Sequence, residues 1–131
     1  MIVWILAVLA LFLVQTFAGP VYQYVKGGTT PEMAMGPRDS PGTPLVITGR
    51  LNRALANMIE AIILFLPLAI LLQVQGAGDG LGLAGAMVFF WARLFYVPAY
   101  VVAYGAVRSL IWTLGHVGLG MMVWALVAVA S

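Results

Sequence analysis

The chain has no cysteine and a single histidine, His116, among its 131 residues. Disulfides, thiolate metal sites and a cysteine nucleophile are therefore excluded, and a lone imidazole has no second histidine with which to form a metal site. Charged residues are also scarce, at 8% of the chain with a net charge of +2. Because the six basic residues are scattered and do not form a run, nucleic acid is not expected as a partner.

Apolar residues make up 63% of the sequence, too many for the core of one small soluble domain. The composition predicts an all-α integral membrane protein that forms one domain over residues 1–131. Four apolar segments have about the 20 residues needed to cross a hydrocarbon core roughly 30 Å thick. The predicted spans are 2–19, 54–75, 81–104 and 107–130. Gly19 and Pro20 are expected to end the first span, which no Lys or Arg precedes and which is interpreted as retained, not as a signal peptide.

The links between the spans predict the arrangement of the helices. Two short links join spans two, three and four, which are therefore expected to be antiparallel neighbours in a four-helix bundle. The link 20–49 is long, polar and rich in proline, and is predicted to be an ordered or semi-ordered loop outside the bilayer. Lys and Arg concentrate in or beside this loop and beside the last link. The positive-inside rule then places these links in the cytoplasm and both chain ends outside it, in what is expected to be a bacterial inner membrane.

Polar residues enter the second apolar segment at helical spacing. Arg50, Arg53, Asn57 and Glu60 are three, four and three residues apart. A helix would place all four on one face. Because a charged side chain inside a bilayer costs roughly 2.5 to 3.5 kcal/mol, this face is predicted to be a functional polar site.

A second polar set lies at the same predicted membrane face. Span three carries Arg93, Tyr96, Tyr100 and Tyr104, and span four begins with Arg108 and Ser109. Arginines in excess over carboxylates, together with phenol donors, suit an anionic ligand that bears carboxylates. Membrane lipids are the other expected contact, because arginines at helix ends also snorkel to headgroups and Tyr104 could serve only as an interfacial anchor.

Two buried groups in this region need partners inside the bilayer. Arg93 lies about three helical turns from Tyr104, and Glu60 lies a comparable distance into span two, so an ion pair between Arg93 and Glu60 is predicted.

His116 lies among three glycines of span four. For a lone histidine in such a position we expect a hydrogen bond to a neighbouring helix at a close-packed seam.

Three stretches resemble motifs of one family. RALANMIE at 53–60, followed by FLPL at 65–68, resembles the R-A-H-x-N-x-x-E signature in the second span of the MAPEG family, the membrane-associated proteins in eicosanoid and glutathione metabolism. RLFY at 93–96 with Tyr100 resembles the third-span R-x-x-Y-x-x-x-Y pattern. AVRSLIWTL at 106–114 is similar to the start of the fourth span in the prostaglandin E synthase branch. The matches occur in the family's order.

The resemblance implies a left-handed four-helix bundle that assembles as a homotrimer, with glutathione bound as cosubstrate between neighbouring subunits. Carried over by position, the glutathione-binding residues would be Arg50, Arg53, Asn57, Glu60, Arg93, Tyr96 and Tyr100. Arg108 would act catalytically at the sulfur, and Ser109 would add a hydroxyl donor to the thiolate. The implied function is a transferase or peroxidase in which the glutathione thiolate attacks a lipophilic electrophile or hydroperoxide, without a metal.

The sequence departs from the family pattern at three positions. Leu55 replaces the family histidine, Ala61 replaces the asparagine that often follows the glutamate, and Trp112 stands where the synthase branch has a tyrosine. Specificity for eicosanoids is therefore not transferred, and neither is the choice among transferase, peroxidase and isomerase activity.

Two other interpretations stay open. A catalytically silent binding or scaffold protein would have the same fold without chemistry. A small four-span transporter would also carry a membrane glutamate, but it would keep that carboxylate free to titrate and would not surround Glu60 with arginines.

Overall fold

The computed structural model describes residues 1–37, 43–102 and 105–130, and this part of the chain is almost entirely helical. The helices are α1 (Ile2–Val25), α2 (Pro31–Met35), α3 (Val46–Val74), α4 (Gly80–Val102) and α5 (Gly105–Ala130). Four of them, α1, α3, α4 and α5, are long and apolar enough to cross a membrane. The predicted all-α fold with four membrane helices is confirmed.

The first helix is longer than predicted. It continues through Pro20 to Val25, so the prediction that Gly19 and Pro20 end it is wrong. Membrane helices tolerate proline when the backbone carbonyl that loses its hydrogen bond finds another partner. The local sequence does not reveal whether such a partner exists. Lys26 caps the helix, and the chain then turns at Gly27, whose φ of 72° suits glycine, with the Gly28 N–H donating to the Gln23 carbonyl at 2.9 Å.

The predicted loop 20–49 is correspondingly shorter than expected. The third helix begins at Val46, well before the predicted start of span two at 54, so Arg50 and Arg53 already lie on regular helix. The loop also contains the short helix α2. Its residues Arg38 and Asp39 lie outside the part of the chain that the structure describes, as does Tyr104.

The short helix α2 has a well-formed N-terminus. The Thr30 hydroxyl accepts a hydrogen bond from the Met33 N–H at 3.3 Å, and Pro31 occupies the first helical position. Hydrogen bonds from its own backbone N–H and from the Thr30 side chain lower the pKa of the Glu32 carboxyl, which lies in the first turn. The capping residues therefore stabilise the start of this helix, none of whose side chains is buried.

The core lies where α1 and α5 flank the pair α3 and α4. Phe65 of α3 stacks on Phe89 of α4 with ring centroids 4.5 Å apart, and both side chains are fully buried. Trp4 of α1 packs on Phe90 at 5.5 Å. The most extensive pairing is between α4 and α5. This arrangement places one end of α3, α4 and α5 side by side, and the predicted site lies there.

The α4–α5 pair approaches closely because two glycines face each other. A Cβ added at Gly118 would lie 2.6 Å from the Gly85 carbonyl oxygen and 2.8 Å from the Phe89 nitrogen. Membrane helices commonly use small residues in this way. No hydrophobic effect drives helices together in lipid, so the van der Waals contacts of closely approaching backbones stabilise the pair. Gly120, two residues on, would meet nothing within 4 Å.

We expect Gly118→Ala to destabilise the bundle by about 1 to 3 kcal/mol, because the added methyl must push two backbones apart. Thermal unfolding of the detergent-solubilised chain measures the change. Gly120→Ala is the matched control and should unfold like the wild type. Equal unfolding temperatures for the two variants would contradict the close α4–α5 seam.

Candidate functional site

Arg50 is tied to the end of a neighbouring helix. Its Nη1 donates to the carbonyl oxygen of Val101 at 2.6 Å, in the last turn of α4. A cation at a helix C-terminus satisfies an orphan carbonyl and interacts favourably with the helix dipole. Arg50 therefore makes a capping contact in the structure. Its contact with a ligand stays a prediction from the sequence.

Arg93 is the most deeply buried charged residue of the described chain. It is only 2% exposed, and its Nη1 donates to Asn57 Oδ1 at 2.7 Å. The guanidinium carbon lies 5.2 Å from the Phe89 ring centroid and 5.7 Å from that of Tyr96. A Cβ at Gly115 would lie 3.1 Å from Nη2, so α5 passes directly against the guanidinium. Arg93, on α4, thus contacts both α3 and α5.

Two of the nitrogens on this guanidinium have no partner. Arg93 Nε and Nη2 are buried and make no hydrogen bond. A buried N–H donor without a partner costs about 1 to 3 kcal/mol, and more when the group is charged. The arrangement therefore leaves donor capacity unused in the centre of the site.

The predicted ion pair between Arg93 and Glu60 is wrong. Arg93 hydrogen-bonds Asn57, and among the described residues Glu60 has neither a hydrogen bond nor an ion pair. The reason is the antiparallel register of α3 and α4. From Val101 back to Arg93 is about 12 Å along α4, and from Arg50 to Asn57 is about 10 Å along α3, so Asn57 is level with Arg93 and Glu60 lies deeper.

A cavity of about 200 Å³ opens beside Arg93. Its lining residues come from α3, α4 and α5: Asn57, Glu60, Ala61, Leu64, Arg93, Trp112 and His116. The lining therefore combines polar groups of both signs of charge with Ala61, Leu64 and Trp112. Glu60 is exposed in the single chain.

Sequence reasoning missed His116 and Trp112 as members of the site. His116 Nδ1 lies 2.9 Å from the Trp112 carbonyl oxygen of its own helix, so the predicted hydrogen bond to another helix is wrong. The two rings are also in contact, with centroids 3.8 Å apart. One signal was present: His116 follows Ser109 by seven residues, which is two turns on the same helix face.

A second group of side chains surrounds Tyr100, nearer the helix ends. Arg108 lies 4.8 Å above its ring centroid and Arg53 lies 5.9 Å from it. Tyr96 meets the same ring edge-on at 5.6 Å. The structure thus brings together four of the predicted site residues from three helices, and two guanidiniums converge on one phenol.

Ser109 is engaged within its own helix. Its hydroxyl donates to the Gly105 carbonyl oxygen at 3.1 Å, and its carbonyl in turn accepts from the Thr113 hydroxyl at 2.9 Å. The side chain is exposed. Donation to a ligand would therefore require the hydroxyl to rotate away from Gly105, which makes Ser109 the least prepared of the predicted residues.

Positive charge dominates the site as a whole. Within the described residues, none of the arginines at 50, 53, 93 and 108 forms an ion pair with an acid. No three potential metal-ligating side chains come together in that part of the chain either. The arrangement can hold carboxylates and can stabilise a developing anion beside Arg108.

Comparison with known proteins agrees with these features. Neither a curated protein sequence nor a solved structure is similar enough to the chain to count as a match. The model of the MAPEG family matches residues 1–128, which is nearly the whole chain. The arginine, asparagine and glutamate of α3 and the arginine and tyrosines of α4 thus lie within a continuous match, and the chain belongs to the MAPEG family.

Proposed function

We propose that the protein is a glutathione-dependent membrane enzyme of the transferase or peroxidase type. The observation that carries this proposal is the pair of guanidiniums, Arg53 and Arg108, that converge on the Tyr100 ring with no acid to neutralise them in the described chain. Uncompensated cations in a membrane helix favour an anionic ligand. Membership of a family that acts in glutathione metabolism makes glutathione the first candidate.

The chemistry of glutathione complements the site. The tripeptide has two carboxylates, one ammonium and one thiol, and guanidiniums bind carboxylates with charge-assisted hydrogen bonds. Arg53 and Arg108 lie near the helix ends, where a water-soluble ligand can enter. Arg93 and Glu60 lie deeper, so the ligand would extend from the membrane surface into the cavity.

In this proposal Arg108 activates the sulfur. A guanidinium near the thiol stabilises the thiolate, lowers the thiol pKa and lets the proton leave to solvent. The thiolate then forms a bond to an electrophilic carbon while the leaving group departs with its bonding electron pair. Alternatively it attacks the terminal oxygen of a hydroperoxide, so that the O–O bond breaks, the alkoxide leaves and takes a proton from solvent, and a second glutathione reduces the sulfenic acid to give the disulfide and water. The lipophilic partner is supplied from the bilayer. Tyr96 and Tyr100, whose rings meet edge-on, offer phenol donors.

We infer that the active form is a homotrimer, with both chain ends outside the cytoplasm. Arg53 and Glu60 are exposed in the single chain although both lie on a helix apolar enough to span a membrane. Lipid is a poor neighbour for either charge. A second copy of the chain that covers this face would complete the site.

The lack of a partner for Glu60 also favours a second candidate function, proton-coupled transport. A transporter needs a carboxylate that is free to titrate, and Glu60 has no ion pair among the described residues. Proton-driven efflux of a substrate from liposomes that contain the purified protein would support this candidate. The surrounding arginines and the family membership favour glutathione chemistry instead.

Titration of the purified protein with glutathione should produce a saturable thiolate absorbance in the ultraviolet difference spectrum. In Arg108→Ala the thiolate signal should fall by about tenfold or more at neutral pH, because a rise of one unit in the thiol pKa lowers the ratio of thiolate to thiol tenfold. Turnover should fall further than affinity. S-methylglutathione, which has no thiol, is the control and should bind without the signal.

Two other results would change this assignment. Equal losses of affinity and turnover in Arg108→Ala would make Arg108 a simple binding residue. A variant that changes stability alone, in a protein that does not bind millimolar glutathione, would support the silent scaffold.

Substitution of Arg50 and substitution of Arg53 should have different effects on stability. Arg50→Ala removes the cap on α4 and should lower both stability, by about 1 kcal/mol, and glutathione affinity. Arg53→Ala breaks no hydrogen bond in the described chain and should weaken binding with little effect on stability. Thermal unfolding and binding titrations on both variants test this division, and equal effects on stability would refute it.

A further inference from the structure

One side chain near the end of α1 contacts both ends of the loop that leads to α3. Gln23 Nε2 donates to the Gly28 carbonyl oxygen at 2.9 Å, and Gln23 Oε1 accepts from the Leu45 N–H at 3.0 Å. Gly28 lies just after α1, and Leu45 is the residue before α3. The loop therefore begins and ends at the same buried amide.

The orientation of this amide is determined by its partners. A backbone N–H only donates and a carbonyl only accepts, so the oxygen of Gln23 faces Leu45 and its NH₂ group faces Gly28. The backbone at the end of α1 supports the same geometry. The Gly28 N–H donates to the Gln23 carbonyl at 2.9 Å, and the Gly27 N–H donates to the Tyr24 carbonyl at 3.1 Å, which is a Schellman motif. Gln23 thus binds Gly28 through its backbone and through its side chain.

Position 28 has no room for a side chain beside this amide. A Cβ added at Gly28 would lie 2.5 Å from Gln23 Nε2 and 3.1 Å from Leu45 Cγ. A methyl group there would displace the amide while the groups that it bonds stay in the chain. Gly28→Ala is therefore a second way to break the contact, in addition to substitution of Gln23 itself.

The start of α3 is not capped by a side chain of its own. The N-cap residue Leu45 makes no side-chain hydrogen bond to the helix. Helix α2, which lies in the same loop, packs against none of the other helices of the described chain. One turn before Gln23, on the same face of α1, Gly19 lies against the Asn52 side chain of α3. Gln23 therefore fixes the first residue of α3 to α1 next to the point where the two helices approach closely.

The placement of α3 decides where Arg53 lies. Arg50 follows Leu45 by five residues, about 7.5 Å along the helix, and donates to a carbonyl at the end of α4. Arg53 makes no hydrogen bond in the described chain and lies 5.9 Å from the Tyr100 ring centroid. The start of α3 is thus held to α1 by Gln23 and to α4 by Arg50, and Arg53 depends on how the backbone is held at these two points.

We propose that Gln23 is a positioning residue for the glutathione site. Its amide fixes the start of α3 against α1, and thereby the distance of Arg53 from the Tyr100 ring, without touching the ligand. The choice of glutathione as the ligand rests on the proposed function, whereas the effect of Gln23 on α3 does not.

Hydrogen exchange of the detergent-solubilised full chain tests the contact between Gln23 and α3 without any ligand. Gln23→Leu removes both side-chain hydrogen bonds and keeps a side chain of similar size. The Leu45 amide then loses its acceptor, and so does the helix start that includes the bond from the Gly49 N–H to the Leu45 carbonyl. Amides of residues 45–53 should exchange about tenfold faster, while those of α5 stay unchanged. Gly28→Ala should give the same result.

Gln15 supplies the matched control. It lies two turns before Gln23 on the same face of α1, is similarly buried, and makes no hydrogen bond among the described residues. Gln15→Leu therefore makes the same chemical change without breaking a contact. It should leave both the exchange of α3 and the affinity for glutathione unchanged. Thermal unfolding of each variant shows whether it is folded when it is measured.

A double-mutant cycle with Arg53 separates positioning from a general loss of stability. Glutathione affinity, measured calorimetrically, should fall about three- to tenfold in Gln23→Leu. Arg53→Ala removes the side chain whose position depends on Gln23. Adding Gln23→Leu to Arg53→Ala should therefore lower the affinity further by less than about twofold. A purely structural role would give the same loss in both backgrounds.

Two results would overturn the proposal. Wild-type exchange of residues 45–53 in both Gln23→Leu and Gly28→Ala would show that the amide does not hold α3. Equal losses of affinity with and without Arg53, or no loss in either background, would show that Gln23 does not position that side chain. If wild type binds no glutathione while exchange rises in both variants, the proposed function fails, and the fixing of α3 by Gln23 is supported.

Discussion

Burial of Arg93 between three membrane helices is the constraint on which the rest of the site depends. An arginine in a membrane segment costs several kcal/mol unless it is paired, solvated or able to snorkel. Arg93 is buried among the helices and has one hydrogen bond, to Asn57, with aromatic rings on two sides. These contacts compensate only part of the cost, because two of its nitrogens have no partner. A site that holds such a group without ligand is stabilised when a ligand supplies the missing acceptors.

The close packing of α5 follows from the same constraint. The guanidinium lies against Gly115, where a side chain would press on Nη2 at 3.1 Å. Gly118, one turn further on, lets the backbone approach Gly85 of α4. The seam therefore sets the distance at which α5 presents Arg108 to the Tyr100 ring and His116 to the cavity.

Much of this arrangement was readable from the sequence. Composition and the length of the apolar runs predicted the four membrane helices, and helical spacing grouped Arg53, Asn57 and Glu60 on one face. Local sequence could not give the relative rotation and register of the helices. These decide that Arg93 meets Asn57 and not Glu60, and that Arg50 reaches the end of α4. The predicted bond from His116 to another helix was wrong for a similar reason. The carbonyl of Trp112 in its own helix is the acceptor, and periodicity does not reveal that choice.

The polar groups on one face of α3 fall into two pairs that differ in their contacts. Arg50 satisfies a carbonyl of α4, and Asn57 satisfies one nitrogen of Arg93, so these two side chains fix the relative position of the helices. Arg53 and Glu60, which alternate with them along α3, make no hydrogen bond within the described chain. Since the helix presents both pairs on one face, the residues that hold α4 in place also set the distance of Arg53 and Glu60 from α4. The residues that fix the helix packing are therefore interleaved with charged residues that make no hydrogen bond in the described chain, and a shift of the first pair would also move the second.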